Sequence, residues 1–421
     1  FGSGTRTLSG SVDVTLNFHS DLPASDLTPL GADATTDPLQ AAFVQVEVLP
    51  RSLPMAFVSA VERLLGRGND PVIAQVGAEA VAGFTQDACD ITPLMFCLPS
   101  ADFTARPGAA NSAVGRMIRI RSGGQGAAWG PGDFGFLDPS NADLGATCSG
   151  KNGVNLIACL VGAELNVTQC YSQRGVDTEP GQKVGIEDAI FNVRFDIYKS
   201  TMNGEKNSAD YPPAPNVLSG LVSKGGKSCI GQQEQISPDT LPLPRDNCFA
   251  SNSCDENNRF GDGDWSAGLH DYLMANHDID SNTTDYKQVL DFSEVPTGLR
   301  DTRYGLYLAE IKGIANNRIT PAGRAESGVP QCNKNPSTEG ARRRVVIAAG
   351  IDCGKYAING KTKGVPVNEF FEVFLTEPVG DDGASPPTLD LWGEVIGSAG
   401  GTGYSAAGTG GIFRDVVQLY R

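Results

Sequence analysis

Apolar and polar side chains alternate along Ser11-Val-Asp-Val-Thr-Leu-Asn-Phe18 and again along Ala42-Phe-Val-Gln-Val-Glu-Val-Leu49, and period two predicts two strands. The pattern then changes to helical spacing. Phe57, Ala60, Val61, Leu64 and Leu65 fall on one stripe, with Ser52 as its cap, Pro54 in the first turn, and Gly66 and Gly68 to end it. Glu62, Arg63 and Arg67 are too few for a basic membrane-binding face, so this stripe is expected to pack on a core. Pro71 to Phe84, rich in Ala and Val, predicts a third strand or strand pair.

Beyond Asp87–Pro99 the periods are longer and mixed. Gly115–Arg121 alternates with its basic residues outward. Asn155–Leu165 predicts a short buried helix, and Ile186, Ala189, Ile190, Val193 and Ile197 predict another through Tyr198. Residues 203–247, rich in Pro, Gly, Ser and Lys, predict a long surface excursion pinned by Cys229 and Cys248. Two more helices follow, one with Leu269, Tyr272 and Leu273 inward and one with Tyr304, Tyr307, Leu308 and Ile311 at helical spacing.

The last stretch, residues 343–421, is strand-like. Val345–Ile351 has no polar alternation, as suits a strand covered on both faces. Val365, Val367, Phe371, Val373 and Leu375 share one face of the next run, with Glu369 the polar exception. Leu389–Gly397 and, after a glycine-rich link, Phe413–Arg421 complete four strands expected in one sheet. The fold class is therefore α+β in two domains. Residues 1–88 form a small α+β unit, and residues 89–421 form a larger disulfide-containing α+β unit with a central mixed sheet.

Composition adds two constraints. A net charge of −16 disfavours nucleic acid and anionic membrane surfaces as partners. Ten cysteines (Cys89, Cys97, Cys148, Cys159, Cys170, Cys229, Cys248, Cys254, Cys332 and Cys353) occur without any Cys-x-x-Cys, and no histidine has zinc-ligand spacing. An even count without metal spacing predicts disulfides and an oxidising compartment, periplasm or cell surface. Nearness in sequence makes Cys248–Cys254 and Cys332–Cys353 the candidate pairs.

Several phrases carry a resemblance: Phe370-Phe-Glu-Val-Phe-Leu-Thr-Glu-Pro-Val379, Gly393-Glu-Val-Ile-Gly397, Phe413–Arg421, Trp129–Pro139 and Asn192-Val-Arg-Phe-Asp-Ile-Tyr198. Together with Pro93-Leu-Met between Cys89 and Cys97, they resemble TadG-like proteins, cell-envelope components of the Flp/Tad pilus machinery of proteobacteria. The resemblance covers about Cys89 to Arg421, and more loosely the first domain. Leu98-Pro99 stands where the family pattern has Asn-Pro. The resemblance implies a non-enzymatic periplasmic scaffold with protein partners. It also implies that the membrane is engaged only through an N-terminal hydrophobic anchor absent from this chain.

Motifs for chemistry are incomplete, so no catalytic residue and no cofactor are expected. Ser223-Lys-Gly-Gly-Lys-Ser228 lacks the first glycine of a phosphate loop, because Leu221 stands there. Phe136-Leu-Asp-Pro-Ser140 begins like a metal-dependent adhesion site but carries Ala142 at the second hydroxyl position. Asp278-Ile-Asp-Ser-Asn282 begins like a calcium loop without its glycine or terminal glutamate. Asp262, Asp264, Asp278 and Asp280 are the weak metal candidates, with solvated helix caps as the simpler reading. His277 is a candidate general base near Tyr304, weighed against a histidine that caps its helix and bonds a carbonyl. Three function classes stand: the pilus-assembly scaffold, a structural subunit of an extracellular filament or a surface adhesin, and a secreted hydrolase or calcium-binding module.

Overall fold

A computed structural model describes residues 13–20, 22–23, 28–31, 33–36, 41, 43–66, 73–89, 91–122, 129–139, 144–164, 170–172, 175–179, 187–225, 229–231, 233–316, 319, 323–358, 361–381, 389–401 and 413–419. The chain divides into two compact units, residues 1–87 with 414–421 and residues 88–413.

The first unit is an antiparallel sheet. Its strands β1 (Val14–His19), β2 (Phe43–Pro54) and β3 (Ile73–Cys89) lie side by side. The short Ala56–Leu64 helix sits between β2 and β3 at the tip of their hairpin. Strand β2 runs on through Pro54, so Ser52 caps nothing, and Met55 precedes the helix without a side-chain cap. Gly66 ends the turn as expected, with φ +67 and its N–H donating to the Arg63 carbonyl.

The second unit is built on a closed barrel. In chain order its strands are β4 (Leu94–Cys97), β5 (Met117–Ser122), β6 (Asp133–Phe136), β7 (Cys170–Ser172), β8 (Leu221–Ser223), β9 (Glu234–Ile236), β10 (Val345–Ile351), β11 (Glu369–Leu375), β12 (Gly380–Asp381) and β13 (Leu389–Gly401), of which β7 pairs with β3 and β8 with β9, outside the barrel. The order β11-β10-β4-β6-β5-β13 closes through a further β11–β13 pairing, and β12 hangs from β13. Pairs β10–β4 and β5–β6 are parallel and the rest antiparallel, so the sheet is mixed, as expected. The barrel interior follows from period two. Leu94 and Phe96, Ile118 and Ile120, Phe134 and Phe136, Val346 and Ala348, Phe371, Val373 and Leu375, and Leu391 and Val395 share one buried cluster. Phe103 reaches the same cluster edge-on to Phe260 and tilted against Phe371.

Outward residues of the same strands bury a second layer. Phe374 and Ile396 pack with Tyr272, Leu273, Tyr304 and Tyr307 of the Ser266–His277 and Arg303–Ala315 helices. Both helices stand where expected. Trp392 packs on Phe249 with ring centroids 4.9 Å apart. Glu369, the polar exception of its strand, is buried and accepts hydrogen bonds from the Thr104 hydroxyl (2.6 Å) and the Ala105 amide (3.0 Å).

Five disulfides use all ten cysteines: Cys89–Cys170, Cys97–Cys353, Cys148–Cys159, Cys229–Cys332 and Cys248–Cys254. The Cys248–Cys254 expectation holds and Cys332–Cys353 does not. Parallel pairing puts Cys97 opposite Ile351, so Cys353 is claimed by Cys97.

Four other expectations are corrected. The final strand, β14 (Phe413–Leu419), pairs with β3 in the first unit's sheet and not with the barrel strands. The 187–198 helix stops at Asn192, and Asp196 turns left-handed at φ +63 so that its carboxylate collects the amides of Gln331, Cys332 and Asn333. Residues 203–247 are not a surface excursion, because Tyr211, Ala214, Leu218 and Leu243 are buried. The stripe of the Ala56–Leu64 helix is not core: Phe57 is 81% exposed, Leu64 88% and Leu65 59%.

Candidate functional site

The weak metal candidates do not converge. Asp262 and Asp264 lie before the Ser266–His277 helix and Asp278 and Asp280 after it, about 18 Å apart by helix rise. Asp262 accepts the Asp264 amide at 3.1 Å, and Asp264 accepts the Ser266 hydroxyl and amide at 2.7 and 3.1 Å. Those Ser266 hydrogen bonds hold the Asp264 carboxyl below its ordinary pKa. Asp278 takes φ +56 at the helix end and pairs with Arg324 at 2.5 Å. Asp280 is lowered chiefly by the Asn282 amide that it accepts at 3.0 Å. These are helix and turn caps. Among the described residues no group of three or more His, Cys, Asp or Glu is placed to hold a metal ion.

Ser223 ends β8 with Lys224 and Gly225 in the turn after it, and residues 226–228 of the lysine loop lie outside the described residues. Asp138 pairs with Lys361, and residues 140–143 are likewise outside.

His277 is wholly buried, and its Nε2 meets Glu310 Oε1 at 2.7 Å, so it bonds a carboxylate and no carbonyl. The Tyr272 hydroxyl donates to the same oxygen at 2.7 Å, and Asn216 Nδ2 donates to Oε2 at 3.2 Å. Burial first, and the Glu310 carboxylate second, push the Tyr272 phenol well above its ordinary pKa. A His–Glu pair can move a proton, but its side chains are 0% and 1% exposed, so no substrate in solution reaches it. Its work is to tie together the two helices that carry it.

The same holds for the other buried charges. Arg303, fully buried, pairs with Asp246 and, at 3.0 Å, with Glu394, and its guanidinium lies 4.9 Å from the Trp265 ring. Glu394 on β13 also accepts the amides of Arg303 and Tyr304, both at 2.9 Å, which places a carboxylate at the N-terminus of their helix. At the other polarity, Arg194 and Arg343 meet the C-terminal end of the Gly153–Gly162 helix. Arg194 donates to the Val161 carbonyl at 2.6 Å, and Arg343 to the Gly162 and Pro212 carbonyls at 2.5 and 2.8 Å. Burial, then the Arg343 charge, pulls Arg194 down to about 9, which leaves it protonated at neutral pH. Arg344 lies among the rings of Phe195, Tyr307 and Phe374, 4.5 to 4.7 Å from each centroid, and bonds the Leu375 and Thr376 carbonyls. Sequence reasoning missed these roles. A signal was available, since Arg303, Tyr307 and Glu310 share one helical face with apolar neighbours.

Two open surfaces stand out among the described residues. One is a groove of about 1200 Å³ in the second unit. Its floor is Val345 and Ile347 of β10, Glu372 of β11 and Ile396 of β13, with Arg342 held to Glu372 at 2.8 Å. The other lies in the first unit, where Leu16, Phe18, Leu49, Met55, Phe57, Val61, Leu64, Leu65, Ile73 and Val76 are all exposed. This concentration of exposed apolar side chains exceeds the scattered singles of an ordinary surface. It is the best candidate for a functional contact. No known protein family, curated protein or solved structure matches this chain.

Proposed function

We propose that this chain is a non-enzymatic cell-envelope protein that works by protein–protein contact in Flp/Tad pilus assembly, as a periplasmic scaffold or interaction component. The observation that carries the interaction reading is the exposed apolar surface of the first unit. Envelope location is supported by the five disulfides, which fit an extracytoplasmic compartment. Among the described residues no helix is long and apolar enough to cross a membrane. The pilus assignment itself rests on the TadG-like phrases, three of which fall on β11, β13 and β14.

The test is genetic. Deletion of the gene in its host is expected to abolish or sharply reduce surface Flp pili, and a plasmid copy to restore them. Normal piliation in the deletion strain would end the pilus reading. A second reading, a filament subunit, is favoured by one feature: β14 is the last strand in the order β1-β2-β3-β14, where a neighbour's strand could add. Negative-stain images of the isolated chain decide it, since regular filaments would make this reading primary.

A further inference from the structure

The first unit presents its apolar face outward. Cross-strand partners lie on the same face of a sheet, so three rows can be read directly. They are Val14–Val48–Ala78, Leu16–Val46–Ala80 and Phe18–Val44–Ala82. Every residue in them is apolar and none is buried; Leu16 and Phe18 are 55% and 47% exposed. The opposite face carries Asn17, His19, Gln45 and Glu47, yet that is the covered one, with Phe43 and Val81 buried against Leu22 and Leu30. A sheet with one apolar face normally buries it under a second layer, and no described residue supplies that layer here.

The same unit carries a helix with the opposite deficiency. Phe57, Val61, Leu64 and Leu65 form an apolar stripe on the Ala56–Leu64 helix, and that stripe faces solvent. The two surfaces match in size. From Phe57 to Leu65 the stripe runs about 12 Å along the helix, and from Val14 to Phe18 the three rows run about 13.6 Å along the strand. Three strands are about 10 Å across, close to the width of one helix. Neither surface carries a charged residue. The two cannot be satisfied within one chain as it is folded. The last β2–β3 pair, Pro54↔Ile73, lies between the helix and the nearest row at Val48, about 20 Å along the hairpin.

We propose that the Ala56–Leu64 helix of one copy of this chain packs on the open β1–β2–β3 face of a second copy. The contact is heterologous, so each copy keeps one unused half, and the assembly grows into a ring or an open chain. Its footprint is well below the roughly 800 Å² per side of a stable complex, so single contacts are weak and association depends on concentration. Salt strengthens the contact, because it is apolar and because the copies, each at −16, otherwise repel. This rests on the interaction reading above but not on the pilus assignment, which piliation tests separately.

Sedimentation velocity of the full chain across a concentration series tests the proposal. The weight-average sedimentation coefficient is expected to rise with concentration and further with salt. Leu64→Asp removes the helix half and Leu16→Asp the face half. Both side chains are exposed, so both variants are expected to keep the parent's circular dichroism, with Phe57→Asp as the substitute helix variant. Each alone is expected to weaken self-association by about tenfold or more. An equimolar mixture of the two has one live half on each copy and is expected to form a discrete heterodimer and nothing larger. A parent that stays monomeric throughout, variants that associate like the parent, or a mixture that forms no dimer would each overturn the proposal.

Discussion

The Cys97–Cys353 bridge is expected to contribute far more stability than Cys248–Cys254, and the difference can be worked from the topology. Cys97 ends β4 and Cys353 follows β10, and these strands pair in parallel with no turn to join them. The two cysteines are 256 residues apart, against 6 for Cys248 and Cys254. In the unfolded chain, Cys89–Cys170 and Cys229–Cys332 act as short cuts and reduce the effective loop to about 90 residues. Chain-entropy arithmetic then assigns about 4.6 kcal/mol to the barrel bridge and about 2.2 kcal/mol to the short one.

The comparison uses two double variants, Cys97→Ala with Cys353→Ala, and Cys248→Ala with Cys254→Ala. Trp129, Trp265 and Trp392 all lie buried in the second unit, so their fluorescence in urea follows that unit's unfolding. At equal m-values, the barrel pair is expected to lose about 2 kcal/mol more than the short pair. Equal losses, or a larger loss from the short pair, would refute the claim that the bridge works by closing the long parallel connection.

Three further outcomes follow from local geometry. A Cβ on Gly135 would stand 2.0 Å from the Trp129 ring, whereas one on Gly298 meets nothing within 4 Å. Thermal melts should therefore show Gly135→Ala destabilised by about 1–3 kcal/mol and Gly298→Ala within about 0.5 kcal/mol of the parent. Phe371 is fully buried between Phe96 and Phe103, with centroids at 5.3 and 5.5 Å, and Phe371→Ala should cost about 3–5 kcal/mol in urea melts. Burial raises the Glu326 carboxyl despite its hydrogen bonds from Thr240, Ser219 and Gly220. A raised folded pKa gives stability that is full below the unfolded value of about 4.3 and is lost as pH rises through the folded value. Glu326→Gln should therefore flatten the loss of stability, read from urea melts, as pH rises above the unfolded value of about 4.3. An unchanged slope would show that the carboxyl does not titrate there.

The barrel strands were readable because they are sandwiched. Val345–Ile351 is buried throughout except at Val345, and a strand with both faces covered declares itself by lacking alternation. Glu369 looked like an error in its strand until the Thr104–Ala105 loop supplied its partners, and loops that meet a strand 264 residues away leave no local trace. The same blindness explains Cys353. Nearness in sequence favoured Cys332, but parallel pairing across the barrel put Cys97 beside it. The roles of Arg343 and Arg344 were missed for a related reason. Arg343 and Arg344 directly precede a strand, and their partners are carbonyls of segments distant in sequence.

The Ala56–Leu64 helix and β14 show a different limit. Period and composition identify which face of an element is apolar, as the stripe of the Ala56–Leu64 helix shows, although Val365 and Val367, expected on one face with Phe371, Val373 and Leu375, precede the strand and pack in a different cluster. Period and composition do not say what covers that face. For most elements the nearest answer, the chain's own core, is right, because burying an apolar stripe elsewhere in the same chain costs no association entropy. Here the stripe has a correct period and an exposed face, and β1–β3 has a correct alternation with the apolar side open. The two mismatches occur in one unit and are of similar length, about 12 and 13.6 Å. A sequence selected only to fold alone would keep neither, since each exposed Leu or Phe forgoes about 1.5–3 kcal/mol of burial. Their joint presence is the physical reason to look for the missing layer in a neighbouring molecule.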